Sequence, residues 1–576
     1  MAKLWVCDDE PSARFPVFTR GNVGEVFSEA VSPLTWTTFG LDVLDGGWRE
    51  AFCDIGLFTP DEFKPPGQAE ILACFGGYLY INMSITRVLA VRIPGLTIEA
   101  IDRSLFGDYT DVPPYRPDPR DQNAERTAAV SAWLGSLFTV DPRPAADLDL
   151  QHAERIAASR LDFGSMSDAQ LLEYYRSLVV EIRPVFKRHV LNTYGANVLT
   201  SLIAQVCQSV NAAELAPKVT SAIGDIDSAR QSFELWELSR VVQASPGVAA
   251  AFDQGVDGVL ERLRANGQPG ARNFLARWNA FIARWGFLGP CIWEFRSPTY
   301  RSDPSIPLRM LDRAWRAPDA SAPAARAAGM VAEREAAVRE IAGRLAGAPQ
   351  ARDQFMAAAA SDPNYLTARE RSKTSCNILV DAARAPLREL GLRMVKRGLL
   401  PRWEDVLMVT GDEVDDFTAR PAEYIDRIRE RAAQLKVLES KEPPFVFEGA
   451  APPLSAYKDR NSGAVEAAAA GSQLTGIGVS PGRYTGRAHV VMSLTTDSEL
   501  EPGEIIVAPI TDSAWGPLFL AAGAVVVETG AAISHAAIVS RELGIPAVAS
   551  LTDATQLIPN GAMITVDGST GTVIVH

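Results

Sequence analysis

The sequence predicts a multidomain protein in which a large, mainly α-helical domain precedes a small C-terminal α/β domain. Between Asp121 and Gln434, apolar residues recur at three- and four-residue spacing, which is the pattern of amphipathic helices. After Leu474, short β-type runs alternate with turn sequences such as PGE, PNG and DGSTG. The chain of 576 residues is long enough for several domains.

The helical domain is expected over residues 1–439, with a candidate break near residue 120, because the first 120 residues are mixed in pattern and carry Pro-rich turns. Residues 440–472 are rich in Pro, Ala, Gly and Ser and show no sustained period. This composition predicts a linker, and an ordinary extended surface loop is the alternative.

The C-terminal domain is expected over residues 473–576, as alternating short strands and helices. Helices are predicted near Ser513–Ala522 and over Ala536–Leu543. Strands are predicted at His489–Met492, Ile505–Ala508, Ala524–Val527, Ala547–Ala549, Met563–Val566 and Val573–Val575.

Composition excludes several classes of protein. A net charge of −14 argues against a general nucleic-acid binder. No run approaches about 18 uninterrupted apolar residues, so no membrane span is expected. The start MAKLWVCDDEPSARF has no apolar core of a signal peptide, and the six cysteines contain no CxxC pair. We therefore expect a cytoplasmic protein with no metal site.

His535 stands at the predicted start of a helix, after a turn of small residues that includes Thr529 and Gly530. Ser534 is a good N-cap, and Gly544 closes the helix. A helix N-terminus holds phosphate well, and an imidazole near neutral pH is a nucleophile. A nucleophile beside a phosphate cradle suggests a phosphohistidine intermediate, although a lone histidine beside a turn is more often a cap or a surface residue.

The tail from about Leu474 resembles the swivelling phosphohistidine domain of the PEP-utilising enzymes. The ordered motifs that carry the resemblance are GIGVSPG, GRA, GEIIVAPITDSAWGPLF, ETGAAISHAAIVSRELGIPAV and ITVDGSTGTV. The resemblance implies that His535 is phosphorylated, that Ser534 helps to cradle the phosphoryl group and that Thr529 and Gly530 shape the turn. The family usually has a second glycine where this chain has Ala531. Arg541 is expected to pair with Glu542, with Glu528 or with a docking surface.

The first 440 residues resemble, more weakly, the acceptor-substrate domain of rifampicin phosphotransferase and its relatives. The segments FTRGNVGEVFSEAVSPLTWT and WGFLGPCIWEFRSPTYRSDP carry this likeness. It raises Glu294 as a candidate general base, and in an extended segment Glu294 and Arg296 would share one face. The candidate phosphoryl clamps are Arg20, Arg296 and Arg301, with Arg371 and Lys373 as further basic candidates. The candidate walls of an aromatic acceptor pocket are Trp285, Phe287 and Trp293, and core packing is the alternative for each.

The sequence shows no P-loop, no recognisable ATP-grasp domain and no PEP-binding barrel. In layout the chain resembles the His-and-acceptor subunit of phenylphosphate synthase. That likeness implies ATP and Mg²⁺ bound by a partner with an ATP-grasp domain, and a small hydroxyl compound as acceptor, first a phenol or hydrophobic alcohol. Two other readings stay open: a non-catalytic phosphocarrier or regulatory scaffold, and an enzyme that phosphorylates a hydroxyl to activate it for elimination.

Overall fold

The computed structural model describes residues 3–106, 109, 111–159, 161–319, 322–460, 465–494 and 500–576. The protein is multidomain and largely helical, with a mixed sheet at its C-terminus, as the sequence predicts. Its contacts divide the chain into two compact units. The first consists of Met1–Gly195, Cys291–Ser297 and Arg371–Ala464, and the second consists of Ala196–Pro290, Pro298–Glu370 and Val465–His576.

The first unit combines helices with a small antiparallel sheet. Across the sheet the strands follow the order Leu72–Phe75, Tyr78–Asn82, Val17–Thr19 and Val446–Glu448. A buried aromatic cluster around Phe15, Phe52 and Phe58 packs on the nearby helices. The helices are Val23–Val26, Thr35–Asp45 (a π-helix), Gly46–Asp54, Met83–Arg92, Ile98–Phe106, Ala124–Ser136, Arg143–Ala158, Val414–Ala419 and Ile425–Glu439.

The strand Val446–Glu448 lies within the segment that composition predicts to be a linker. It pairs with Val17–Thr19, and Lys441–Glu442 pairs with Lys458–Asp459. The early part of that segment is therefore held by β-pairing, while residues 461–464 lie outside the described residues. While a mobile domain is docked, its contacts assign it to the same compact unit as the segment on which it docks. The boundaries 1–439, 440–472 and 473–576 therefore stay a prediction.

The second unit combines helices from the middle of the chain with the C-terminal residues. The long helices Asp168–Ser209 and Pro349–Lys396 contribute residues to both units. The helices that lie wholly in the second unit are Ala216–Val219, Asp227–Gln243, Pro246–Phe252, Val259–Asn266, Pro269–Trp285, Ser305–Arg316, Pro323–Arg344, His535–Leu543 and Ala554–Leu557.

An eight-stranded mixed sheet organises the C-terminal residues. Four neighbouring strands at its centre are parallel, and the outer ones are antiparallel. Across the sheet the order is Gln473–Thr475, Thr572–Val575, Met563–Asp567, Arg483–Val490, Ile505–Ala508, Ala524–Val527, Ala547–Ala549 and Ile477–Ser480. Three strands begin and end at the predicted residues, because each is a short apolar run between turn residues. They are Ile505–Ala508, Ala524–Val527 and Ala547–Ala549.

In the part of the chain that the structure describes, no helix is both long enough and apolar enough to cross a membrane.

Gly568 provides a test of how closely the C-terminal sheet is packed. A Cβ atom at this position would stand 1.9 Å from the carbonyl oxygen of Ser480 and 2.7 Å from the amide nitrogen of Ala547. We expect Gly568→Ala to destabilise the protein by about 1–3 kcal/mol, because backbone atoms cannot yield as a side chain does. Gly347→Ala is the matched control, since nothing lies within 4 Å of its added Cβ. Equal unfolding temperatures of the two variants in calorimetry would contradict the packing.

Candidate functional site

The helix His535–Leu543 begins where the strand Ala524–Val527 and its following turn end. The hydroxyl of Ser534 accepts a hydrogen bond from the amide of Ala537 at 3.3 Å, so Ser534 is the N-cap. Gly544 closes the helix in the left-handed conformation, with φ 67°. The sequence predicts both caps correctly, and the helix begins one residue earlier than expected.

His535 is buried at the start of this helix, with 4% of its surface exposed. Its Nδ1 atom lies 3.1 Å from the hydroxyl oxygen of Thr511, and its ring centroid lies 6.0 Å from that of Phe519. Thr511 follows the strand Ile505–Ala508, next to the strand that leads to His535. The imidazole therefore sits beyond the carboxyl ends of two adjacent parallel strands, where open α/β sheets commonly bind ligands.

The turn before the histidine is tight enough to need small residues. The amide of Thr529 donates to the carbonyl of Pro509 at 3.1 Å, and the hydroxyl of Ser550 donates to the carbonyl of Gly530 at 2.5 Å. A Cβ atom on Gly530 would lie 3.0 Å from the Ser534 hydroxyl oxygen, which is the cap itself. The structure thus gives Thr529 and Gly530 the turn-shaping position that the sequence suggests.

Arg541 braces this turn from the other end of the helix. Its Nε donates to the carbonyl of Val479 at 2.7 Å, one Nη donates to the hydroxyl of Thr220 at 3.0 Å, and the other donates to the carbonyl of Ala532. Burial lowers the pKa of Arg541 to about 10, against the opposing effect of the nearby Asp362 and Glu542 carboxylates. From the sequence, Arg541 is expected to pair with Glu542, with Glu528 or with a docking surface. Its hydrogen bond to Thr220 corresponds to the docking surface.

Glu542 makes the second contact between the C-terminal helix and the middle of the chain. Its two carboxylate oxygens accept hydrogen bonds from the amides of Ile223 and Gly224, each at 2.9 Å. A second buried carboxyl group, that of Asp362, accepts from the Thr200 hydroxyl at 2.8 Å, and burial raises its pKa to about 7. The helix His535–Leu543 is thereby seated on the helical part of the second unit.

Glu294 lies in the first unit and is almost completely buried, with 2% exposure. Its carboxylate accepts from the amide and the hydroxyl of Ser32 at 2.9 and 2.6 Å, and from the hydroxyl of Thr35 at 3.2 Å. Residues 291–297 form successive turns, so the expectation of an extended segment was wrong. Arg296 still comes near the same carboxylate, with 3.8 Å between Nε and Oε1, because the turn reverses the backbone.

Two arginines predicted as phosphoryl clamps, Arg20 and Arg296, and the further basic candidate Arg371 contact protein acceptors in the first unit. Arg296 pairs with Glu439 at 2.6 Å and with Glu29 at 3.2 Å. Arg20 donates to the carbonyls of Leu79 and Phe27 at 3.0 and 2.9 Å. Arg371 donates to Asp147. These contacts give each arginine a structural role, and phosphoryl binding by them stays a prediction.

The predicted aromatic pocket residues fall in different units. Trp293 belongs to the first unit, where its indole N–H donates to Asn377 at 2.6 Å. Trp285 and Phe287 belong to the second, buried with ring centroids 6.2 Å apart, and the indole N–H of Trp285 donates to Glu234 at 2.7 Å. Arg301 is exposed in the same unit. Proximity in the sequence is therefore no evidence that these residues line one pocket.

Two residues of the site were missed by sequence reasoning. Thr511 stands inside the motif GEIIVAPITDSAWGPLF, but nothing local marks its hydroxyl as the neighbour of a histidine 24 residues later. Glu542 reads as an ordinary charged helix residue, and only the fold brings it to the amides of residues 223 and 224. Both contacts are tertiary and have no periodic signal.

Comparison with known proteins finds two matching family models. Residues 189–370 match the fourth domain of rifampicin phosphotransferase, and residues 500–571 match the mobile domain of PEP-utilising enzymes. The second match contains both His535 and Thr511. The first nearly coincides with the helical part of the second unit, so the two matched segments are packed together in this structure.

Individual relatives agree with these matches. An uncharacterized protein of Mycobacterium tuberculosis is 28% identical over 97% of this chain and 61% of its own length. A rifampicin phosphotransferase of a Streptomyces species is 30% identical over 62% of this chain and 41% of its length. The prodigiosin synthesizing transferase PigC of Serratia marcescens is 41% identical over 26% of this chain and 16% of its length. The chain spans about three fifths of the length of the first of these relatives.

The hydrogen bonds of Glu294 lead to a test of its role. In Glu294→Gln the amide keeps the volume but brings an N–H group against buried donors, so we expect a loss of about 1–3 kcal/mol of stability. The control is Glu29→Gln, whose exposed carboxylate pairs with Arg296 at the surface. A lowered unfolding temperature for the first variant alone supports the structural role. An unchanged unfolding temperature with slowed transfer to an acceptor would instead restore Glu294 as the general base.

Proposed function

Because residues 500–571 match the mobile domain of PEP-utilising enzymes and residues 189–370 match the fourth domain of rifampicin phosphotransferase, we propose that the chain is a phosphotransferase that carries a phosphoryl group on His535. The group comes from ATP with Mg²⁺, bound by a partner with an ATP-grasp domain, and goes to a hydroxyl of a small molecule. A phenol or a hydrophobic alcohol is the proposed acceptor. The observation that carries this proposal is a histidine at a capped helix N-terminus whose Nδ1 is held by a threonine hydroxyl.

The contact with Thr511 determines which ring nitrogen reacts in this proposal. When Nδ1 carries the proton and donates it to the Thr511 oxygen, the lone pair lies on Nε2. Nε2 then attacks the phosphorus atom, an N–P bond forms, and the bond to the departing nucleotide oxygen breaks. The N-terminal end of the helix His535–Leu543 favours the negative charge that arrives.

Delivery to the acceptor reverses the bond changes. The acceptor oxygen attacks the phosphorus, the N–P bond breaks, and the electron pair returns to Nε2. The hydroxyl proton passes to a base on the acceptor side. Positioning and charge neutralisation supply most of the catalysis in phosphoryl transfer, which agrees with a carrier held by a rigid sheet and cap. Relatives that are named phosphotransferases, from a Streptomyces species and from Bacillus subtilis, support the class of reaction.

The assignment of His535 predicts a single labelled residue. The full chain is incubated with its ATP-grasp partner and with ATP labelled separately at the β and γ positions. His535→Gln should lose all acid-labile label, because it removes the imidazole nitrogens at the start of the helix His535–Leu543. His489→Gln in the same sheet, which removes a histidine paired with Glu504 at 3.0 Å, should keep it. Full labelling of the His535 variant would refute the proposal.

The role of Thr511 predicts a graded effect on loading. Thr511→Val removes the hydroxyl but keeps the shape, so the ring loses the contact that orients it and fixes its tautomer. We expect phosphorylation of His535 to slow by roughly 10- to 100-fold, the scale seen when groups that orient a ligating histidine are removed. Thr511→Ser keeps the hydroxyl and should retain most of the rate. Equal rates for the valine and serine variants would show that the hydroxyl plays no part.

A further inference from the structure

One surface of the C-terminal domain is built to hold the helices of residues 196–370. At one end of the contact, the Glu542 carboxylate accepts from the amides of Ile223 and Gly224, and Arg541 donates to Thr220. At the other end, the hydroxyl of Tyr300 donates to the carbonyl of Ala514 at 2.6 Å. Apart from the exposed Gly224, these polar atoms belong to residues that are buried or partly buried, so water is excluded from much of the contact.

The loop that receives Glu542 is shaped for a carboxylate. Ala222 adopts the left-handed conformation, with φ 52°, which is unusual for a residue other than glycine. Successive amides next to such a residue turn toward one point and form a concavity for an anion. Arg334 holds the loop in place by donating to the carbonyl of Ala222 at 2.7 Å. The carboxylate of Glu542 is the anion that occupies this concavity.

The helix that carries His535 is part of the same contact. The helix His535–Leu543 packs against the helices Asp227–Gln243 and Pro323–Arg344, and every one of its residues is buried. Gly516 fits closely on the same support, because an added Cβ would lie 3.0 Å from the carbonyl oxygen of Ser228. With His535 only 4% exposed, a separate ATP-binding domain has no access to its ring in this arrangement.

We propose that the contact of Glu542 and Arg541 with residues 220–224 is a latch that keeps the C-terminal domain docked, and that its opening controls when His535 can be loaded. The partner of this surface is the helical segment of the same chain that matches the fourth domain of rifampicin phosphotransferase. The consequence for loading rests on the proposed function, whereas the latch itself rests on the contacts alone. Both residues make charge-assisted hydrogen bonds across the contact, but Glu542 makes two where Arg541 makes one, so Glu542 contributes most to the latch.

The latch can be weakened from either side without touching the histidine. Glu542→Gln keeps the side-chain volume but replaces one acceptor with an N–H group and removes the charge. Thr220→Val removes the acceptor for Arg541 from the opposite surface. The matched control is Glu501→Gln, which removes an exposed ion pair with Arg313 at 2.9 Å between the same two segments. Exposed pairs of this kind contribute little.

Hydrogen exchange with mass spectrometry on the full chain measures opening directly. We expect Glu542→Gln to raise exchange about tenfold or more, the change that loss of one charge-assisted hydrogen bond gives. The rise should appear in peptides covering residues 220–224 and also in those covering 513–520, which lie at the far end of the contact. Thr220→Val should show a smaller rise in both places, and Glu501→Gln should match the wild type.

Loading of His535 by labelled ATP and the ATP-grasp partner is the second readout. We expect the rate of loading to rise most in Glu542→Gln, less in Thr220→Val and not at all in Glu501→Gln. A rise in exchange confined to residues 220–224, with loading unchanged, would show a local contact and overturn the latch. Unchanged exchange in both Glu542→Gln and Thr220→Val would also overturn it. If exchange rises at both ends while the wild type takes up no label, the latch stands and the proposed phosphotransferase function fails.

Discussion

The guanidinium group of Arg541 is the interaction on which the candidate site depends. It joins three parts of the chain that the sequence keeps apart: the strand at Val479, the turn at Ala532 before the histidine, and Thr220 in the helical segment. Val479 is the extra residue where the pairing of Ile477–Ser480 with Ala547–Ala549 shifts register. A bulge of this kind leaves a carbonyl outside the ladder, and Arg541 satisfies it. The position of His535 thus follows from a bulge, a cap and one buried cation.

Burial explains why so many charged residues of this protein serve structure. A carboxylate taken out of water must be compensated by several donors, and Glu294, Asp45 and Glu542 each accept from two or more backbone or hydroxyl groups. Such a group costs stability when it is altered, whether or not it takes part in chemistry. Charge and motif position alone therefore do not separate a catalytic role from a structural one.

In the proposed function, the C-terminal domain meets two demands that oppose each other. A phosphohistidine needs a rigid frame, which the parallel strands and the Ser534 cap provide. A carrier also needs a surface that binds and releases, and hydrogen bonds from a carboxylate to a loop suit this better than an apolar core. Buried apolar surface is costly to expose to water, whereas a carboxylate and two amides are well solvated when they separate. The polar contact of Glu542 is therefore suited to a domain interface that opens and closes reversibly.

The sequence by itself determined the local architecture of the C-terminal domain. Short apolar runs between turn residues determined strands such as Ile505–Ala508 and Ala524–Val527, and Ser534 and Gly544 determined the ends of the helix that begins at His535, because these signals act over a few residues. Only the tertiary structure decided that Thr511 meets His535, that Glu542 meets residues 223 and 224, and that Glu294 is enclosed by Ser32 and Thr35. These contacts join residues 24 to 319 positions apart in the chain, and such pairs are selected by the packing of whole elements rather than by local pattern.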